Sequence, residues 1–119
     1  MAGDLGTGAW YTFTLVSAKL AMSSPPDAYA CLYVSGAQVE CTGYVSNENN
    51  PIWNKAMNAF VAPSDSLVIQ VWDDYLFWDD AKIDAVEYKP AKQILKAGGS
   101  TGLMYPGAPH QLVWTVVAK

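Results

Sequence analysis

The segment Ser66-Leu-Val-Ile-Gln-Val-Trp72 is the clearest β-strand in the sequence, and it runs directly into Asp73-Asp-Tyr-Leu-Phe-Trp-Asp-Asp80. The first segment is rich in the β-branched and aromatic residues that pack well in strands. In the second segment, two pairs of carboxylates flank four large apolar side chains. Turns between strands are normally polar, so this loop (residues 72–80, here the acidic aromatic loop) is unusual for its composition.

The rest of the chain repeats the pattern of short strands separated by Gly, Pro, Asn and Ser. A short helix is expected over 90–97, and residues 98–109 are expected to be a loop because they are rich in Gly and Pro. Seven or eight short strands at this spacing indicate an all-β fold, an antiparallel eight-stranded Greek-key β-sandwich. Residues 1–119 then form one domain, with 1–9 as a flexible N-terminal segment. The predicted strands are 10–20, 28–34, 38–45, 53–61, 66–72, 82–88 and 111–117.

Composition excludes several classes of function. The chain of 119 residues has a net charge of −4, and all seven of its basic residues are Lys. Without Arg, and with an acidic balance, nucleic-acid binding is not expected. His110 is the only histidine and is predicted to lie at the surface, and no motif for nucleophilic or zinc-dependent catalysis occurs. The protein is therefore predicted not to be an enzyme.

The acidic aromatic loop has two features, and each has two interpretations. Tyr75, Leu76, Phe77 and Trp78 suit the boundary between water and a bilayer; alternatively, this tip folds back on the sandwich or contacts another protein molecule. The carboxylates at the base of the loop repel one another, and a hard cation such as Ca2+ would relieve that repulsion; alternatively, they are solvated charges. These carboxylates belong to Asp73, Asp74, Asp79 and Asp80.

The two cysteines lie in a predicted hairpin. Centring the turn on Gly36 places Cys31 opposite Cys41, at cross-strand distance on one face. A disulfide is possible there and would imply an oxidising compartment, which favours an extracellular or secreted protein. The alternative is a pair of reduced thiols in a cytosolic protein.

Three motifs occur in order: Asp27-Ala-Tyr-Ala-Cys-Leu-Tyr33, Asn50-Pro-Ile-Trp-Asn54 and Leu67-Val-Ile-Gln-Val-Trp-Asp73. Together they resemble C2 domains over roughly residues 10–88. The first strand leads directly into the first loop and the chain ends on a separate strand, which resembles the type II C2 topology. The resemblance implies Ca2+ binding between loops one and three, and docking of these loops on a phospholipid membrane surface.

The resemblance also implies a ligand set. Asp27 and Asp73 match family ligand positions, whereas the other three usual positions hold Ala21, Tyr75 and Ala81. The family pattern has a glycine where Asp84 stands. Many C2 domains have a lipid-binding lysine where Cys31 stands. Asp74, Asp79 and Asp80 would complete a Ca2+ site if the loop is shifted in register.

The leading hypothesis is a membrane-docking module that binds phospholipid through aromatic loop tips. Its dependence on Ca2+ is left open by the incomplete ligand set. The alternative is a Ca2+-independent protein-interaction or self-assembly module that uses the same loop to contact a protein partner or a second copy. The expected membrane-binding residues are Leu20, Met22, Tyr75, Leu76, Phe77 and Trp78.

Overall fold

The computed structural model describes residues 7–75, 78–95, 100–103 and 110–119. These residues form eight β-strands and one four-residue helix. The elements are β1 (Ala9–Lys19), β2 (Ala28–Val34), β3 (Ala37–Cys41), β4 (Ile52–Val61), β5 (Leu67–Asp73), β6 (Ala81–Tyr88), α1 (Lys92–Leu95), β7 (Ser100–Leu103) and β8 (Gln111–Ala118).

The strands form two four-stranded antiparallel sheets, in the orders β4-β1-β8-β7 and β3-β2-β5-β6. The predicted eight-stranded antiparallel sandwich is therefore confirmed. The first and last strands are neighbours. After β1, the chain crosses through residues 20–27 to the other sheet and forms β2. This order is the predicted type II arrangement. Among the described residues, no helix is long and apolar enough to cross a membrane.

The core lies between the two sheets and follows from strict alternation along the strands. In β5, the side chains of Leu67, Ile69 and Val71 are buried, and the residues between them are half-buried. Trp114 of β8 is fully buried, with its ring centroid 5.5 Å from that of Tyr88. Two sheets that each present one apolar face to the other account for the sandwich.

Several boundaries differ from the sequence prediction, most of them by one residue. Residues 100–103, predicted to be loop, form β7. They pair with the backbone of β8, and a prediction from the local Gly and Pro content does not take such a distant partner into account. Ala9, placed in the predicted flexible segment, is the first residue of β1 and pairs with Val61. The predicted strand 38–45 ends at Cys41, and beyond it Val45 forms only an isolated bridge with Ala28.

The predicted disulfide between Cys31 and Cys41 is confirmed, with the two residues directly opposite in the β2–β3 pair. The turn is centred one half-residue earlier than expected, with Ser35 and Gly36 both at positive φ (46° and 87°), as a tight two-residue hairpin requires. A bulge then inserts Val39 as an extra residue in β3. The two deviations compensate, so the cysteines still face each other.

Candidate functional site

The first and third loops, residues 20–27 and 72–80, meet at one end of the sandwich because β2 and β5 are neighbours. Ala28 pairs with Asp73, and two hydrogen bonds extend this ladder into the loops. The Asp74 N–H donates to the carbonyl oxygen of Asp27 (2.9 Å), and the Asp27 N–H donates to Oδ1 of Asp73 (3.0 Å). The two loops therefore share a fixed base.

Asp27 also binds the loop that connects β3 to β4. Its Oδ1 accepts hydrogen bonds from the backbone N–H of Asn47 (2.8 Å) and from the Ser46 hydroxyl (3.4 Å). Asn47 has a φ of 51°, a left-handed conformation that Asn tolerates better than most residues. Asp27 thus connects three loops, through its carboxylate on one side and its backbone N–H and carbonyl oxygen on the other.

Asp80 closes the acidic aromatic loop at its far end. Its Oδ2 accepts a hydrogen bond from the Tyr29 hydroxyl (2.5 Å), and its Oδ1 accepts one from the N–H of Tyr75 (3.2 Å). The Tyr29 hydroxyl, followed by the Tyr75 N–H, lowers the pKa of Asp80, because both donors favour the ionised carboxylate. Burial, and then the Asp80 carboxylate, raise the pKa of Tyr29.

Asp74 lies among these groups in a strongly negative environment. Its pKa is raised, first by desolvation and then by the carboxylates of Asp80, Asp27 and Asp73. Like charges at close range oppose the ionisation of one another. The four carboxylates therefore form one electrostatic cluster, which raises the pKa of Asp74.

A cavity of about 300 Å³ opens between the first and third loops. Its wall combines the carboxylates of Asp27, Asp73 and Asp74 with the side chains of Met22, Tyr75 and Trp78. Trp78 is 75% exposed and Tyr75 is 43% exposed. The outer rim of the cavity is thus aromatic, and its base is acidic.

The charge at this base suits a hard cation, but the present arrangement of the oxygen atoms does not. Among the described residues, no group of three or more Asp, Glu, His or Cys side chains is placed to hold one metal ion. Asp27 and Asp80 direct oxygens towards protein donors instead, and Asp79 is exposed. The predicted Ca2+ ligands Asp27, Asp73, Asp74, Asp79 and Asp80 therefore stay a prediction.

The predicted membrane residues fall into three groups. Trp78, Tyr75 and Met22 surround the cavity, whereas Leu76 and Phe77 lie outside the described residues. The prediction for Leu20 is wrong: its side chain is only 4% exposed and belongs to the core. The inward alternation of β1, which buries Ala18, continues one step beyond the strand and turns Leu20 inwards.

Three residues contribute to the site without having been predicted to do so. Asn47 and Tyr29 hold Asp27 and Asp80, and Nδ1 of His110 accepts a hydrogen bond from the Ala21 N–H (3.1 Å). The Asn-rich run 47–50 was a signal for a left-handed turn. The contacts of Tyr29 and His110 join segments distant in sequence, and local patterns give no signal for them.

Comparison with known proteins finds a curated relative of this chain. Perforin-1 of mouse (Mus musculus) is 34% identical over 67 residues, which are 54% of this chain and 12% of perforin-1. The chain thus spans about an eighth of the length of that relative. The motifs Asp27-Ala-Tyr29, Asn49-Asn-Pro-Ile-Trp53 and Leu67–Asp73 resemble the C2 domain of perforin, and this match agrees with that resemblance.

Solved structures show the same fold at low identity. Human GIVD cytosolic phospholipase A2 superposes with a TM-score of 0.79 at 18% identity, over 96% of this chain and 17% of that one. The C2A domain of plant extended synaptotagmin 1 superposes with a TM-score of 0.74 at 14% identity, over 97% and 95% of the two chains. A calcium-bound structure of the C2A and C2B domains of extended synaptotagmin 2 gives 0.73 at 14% identity, over 91% and 44%.

The assignment rests on the sequence profile of the family as well as on shape. The C2 domain profile matches residues 11–104, which include most of β1, all of β2 to β7 and both loops of the cavity. The type II strand order and the base of the first and third loops agree with that match. The chain belongs to the C2 domain family.

Proposed function

We propose that this C2 domain docks on phospholipid membranes through the cavity rim, with Trp78 and Tyr75 entering the head-group layer. The observation that carries the proposal is the exposure of these two rings, 75% and 43%, at the end of the sandwich where the loops meet. Trp and Tyr favour the water–bilayer boundary, where the ring is partly dry and its polar group stays wet.

Hydrogen bonds at the base of the acidic aromatic loop support the insertion of its tip into the head-group layer. The Asp80 carboxylate holds the Tyr75 N–H from within the loop and the Tyr29 hydroxyl from β2. The Asp27–Asp73 contact fixes the other end of the loop. These contacts anchor both ends of the loop, so less conformational entropy is lost on docking. Leu76 and Phe77 are proposed to enter the same layer.

The carboxylate cluster sets the expected lipid preference. In the absence of Ca2+, Asp27, Asp73 and Asp74 repel anionic head groups, whereas zwitterionic head groups meet little net repulsion. Bound Ca2+ would cancel this negative charge, so its addition is expected to favour anionic lipid. The disulfide between Cys31 and Cys41 supports a site of action in an oxidising compartment outside the cytosol.

Vesicle sedimentation tests the proposal directly. Phosphatidylcholine vesicles and vesicles rich in phosphatidylglycerol are each mixed with the protein in excess chelator and in excess Ca2+. Binding to phosphatidylcholine in chelator is expected, with a gain on anionic vesicles when Ca2+ is added. Absence of binding in all four conditions refutes the proposal.

A second candidate function is protein recognition by the same rim. The observation that favours it is the cavity of about 300 Å³ beside Tyr75 and Trp78, together with the lack of an arranged metal group among the described residues. An aromatic side chain of a partner would enter such a concave site. If this function is correct, vesicles fail to bind in every condition and Trp78→Ala abolishes binding to the protein partner.

A further inference from the structure

The outer surface of strands β4, β1 and β8 has an unusual charge distribution. The chain has eleven acidic residues, and none of them lies in these three strands. Alternation buries the inward side chains, so the outward positions form a continuous surface of exposed and half-buried side chains without a carboxylate, here the neutral face. Lys19 of β1 lies at one end of this face, and Lys119, whose N–H donates to the Trp10 carbonyl oxygen, lies at the other. Its central members are Trp10, Thr12 and Thr14 of β1, Ala56, Asn58 and Phe60 of β4, and Val113, Thr115 and Val117 of β8.

Large apolar side chains concentrate at one end of the neutral face. Trp10 pairs with Phe60 across β1 and β4, and their rings meet edge-on at a centroid distance of 5.6 Å. They are 54% and 53% exposed, and Val117 beside them is 52% exposed. The Phe60 ring also lies so close to Gly8 that a Cβ added there would be 2.3 Å from the ring. The aromatic pair is therefore exposed but held in place.

We propose that the neutral face is the contact surface between two copies of this chain. Two molecules that each carry a net charge of −4 repel one another. Contact through the neutral face brings no carboxylate of β1, β4 or β8 into the interface, and it leaves the acidic loop cluster at the end of the sandwich. The charge distribution thus favours this approach of a second copy.

The size of the face is consistent with a weak dimer. The three strands have 11, 10 and 8 residues. At about 3.3 Å per residue and about 4.8 Å between strands, they form a plane of roughly 30 by 14 Å, or about 400 Å² per copy. Side-chain relief adds to this area, so the two copies together bury about 1,000 Å². This value is near the lower limit for a specific interface.

The face also has a shallow depression that a side chain of a second copy could fill. A cavity of about 390 Å³, lined by Trp10, Asn58 and Lys119, lies beside the exposed aromatic pair. In a two-fold symmetric contact, each copy presents the same patch to the other. The Phe60 ring of one copy would enter the cavity of its partner, and the reverse contact would form at the same time.

Sedimentation equilibrium over a concentration series, without lipid and in chelator, tests this inference. The wild-type chain is expected to show a reversible monomer–dimer equilibrium. Trp10→Ala and Thr115→Asp are each expected to raise the dimer dissociation constant at least tenfold, because each change acts twice in a symmetric contact. Thr115→Asn keeps the shape of the new side chain without its charge and is the matched control, and it is expected to retain the dimer.

Trp78→Ala, at the other end of the molecule, is expected to leave the equilibrium unchanged. A wild-type chain that is monomeric at every concentration overturns the inference. A dimer that survives Trp10→Ala and Thr115→Asp but dissociates on Trp78→Ala also overturns it, because the loop rim would then be the interface. Circular dichroism of each variant confirms that the fold is retained in the molecules compared.

Discussion

The Trp78→Ala variant gives the most direct measure of the membrane-docking proposal. A Trp side chain offers about 200 Å² of surface, and Trp78 is 75% exposed, so about 150 Å² is available to leave water on docking. At about 25 cal/mol per Å², complete insertion is worth about 4 kcal/mol. A ring that lies half in the head-group layer contributes about 2 kcal/mol. Its loss corresponds to a roughly 30-fold weaker partition onto vesicles.

The assay is titration of a fixed protein concentration with phosphatidylcholine vesicles in chelator, read by sedimentation. Trp10→Ala is the matched control, because Trp10 is also an exposed Trp (54%) but lies on the neutral face. The control is expected to bind vesicles as the wild type does, within about threefold (less than 1 kcal/mol). Equal loss in both variants, or no loss on Trp78→Ala, would contradict the assignment of the rim as the docking surface.

Three further predictions concern the scaffold and the cation. Reduction of the Cys31–Cys41 disulfide, which closes a short loop of sequence separation 10, is expected to lower the free energy of unfolding by about 3 kcal/mol, measured by urea denaturation with and without reductant. Unchanged midpoints would exclude a stabilising role. Tyr29→Phe removes the main cause of the lowered Asp80 pKa. That lowered pKa stabilises the fold above about pH 4 and loses its effect as the pH falls through it, so the variant is expected to unfold at a higher pH in an acid titration followed by circular dichroism. An acid midpoint equal to that of the wild type would refute this. Finally, Ca2+ titration by calorimetry is expected to give a heat of binding for the wild type that Asp73→Asn abolishes. An equal, non-zero heat from the variant would exclude Asp73 as a ligand, and no heat from the wild type would exclude the Ca2+ site.

The sandwich was predictable because apolar residues at every second position of a strand indicate which face of that strand is buried. Leu67, Ile69 and Val71 alternate in the sequence and are all buried. β7 was not predictable in the same way, since Ser100–Leu103 lacks alternation and depends on pairing with β8. The disulfide was predicted by counting five residues on either side of Gly36, the assumed centre of the turn. The turn is in fact centred between Ser35 and Gly36, and the prediction succeeded only because the bulge at Val39 offsets this shift.

The candidate site was predictable in composition but not in contacts. The position of Asp73 directly after a buried strand placed it at the end of the sandwich, where it lies. The error for Leu20 arose because loop position was used as a proxy for exposure, whereas the side chain continues the inward face of β1. The bond from Tyr29 to Asp80 joins residues 51 positions apart and depends on the path of the loop back to β6.

The two exposed tryptophans show how surroundings separate functions that residue type alone cannot. Trp78 lies at the rim of a cavity whose base contains Asp27, Asp73 and Asp74, so a second copy brought to that rim would meet the same negative charge. A neutral lipid surface meets no such repulsion. Trp10 lies on a surface whose strands contain no carboxylate, so a second copy can approach it closely. If charge governs both surfaces, raising the salt concentration should strengthen self-association of the Thr115→Asp variant, because salt screens the repulsion between its added carboxylates. The same change should leave the binding of the wild-type chain to neutral vesicles through Trp78 unchanged. Salt titration of both processes therefore tests the division of roles independently of either tryptophan substitution.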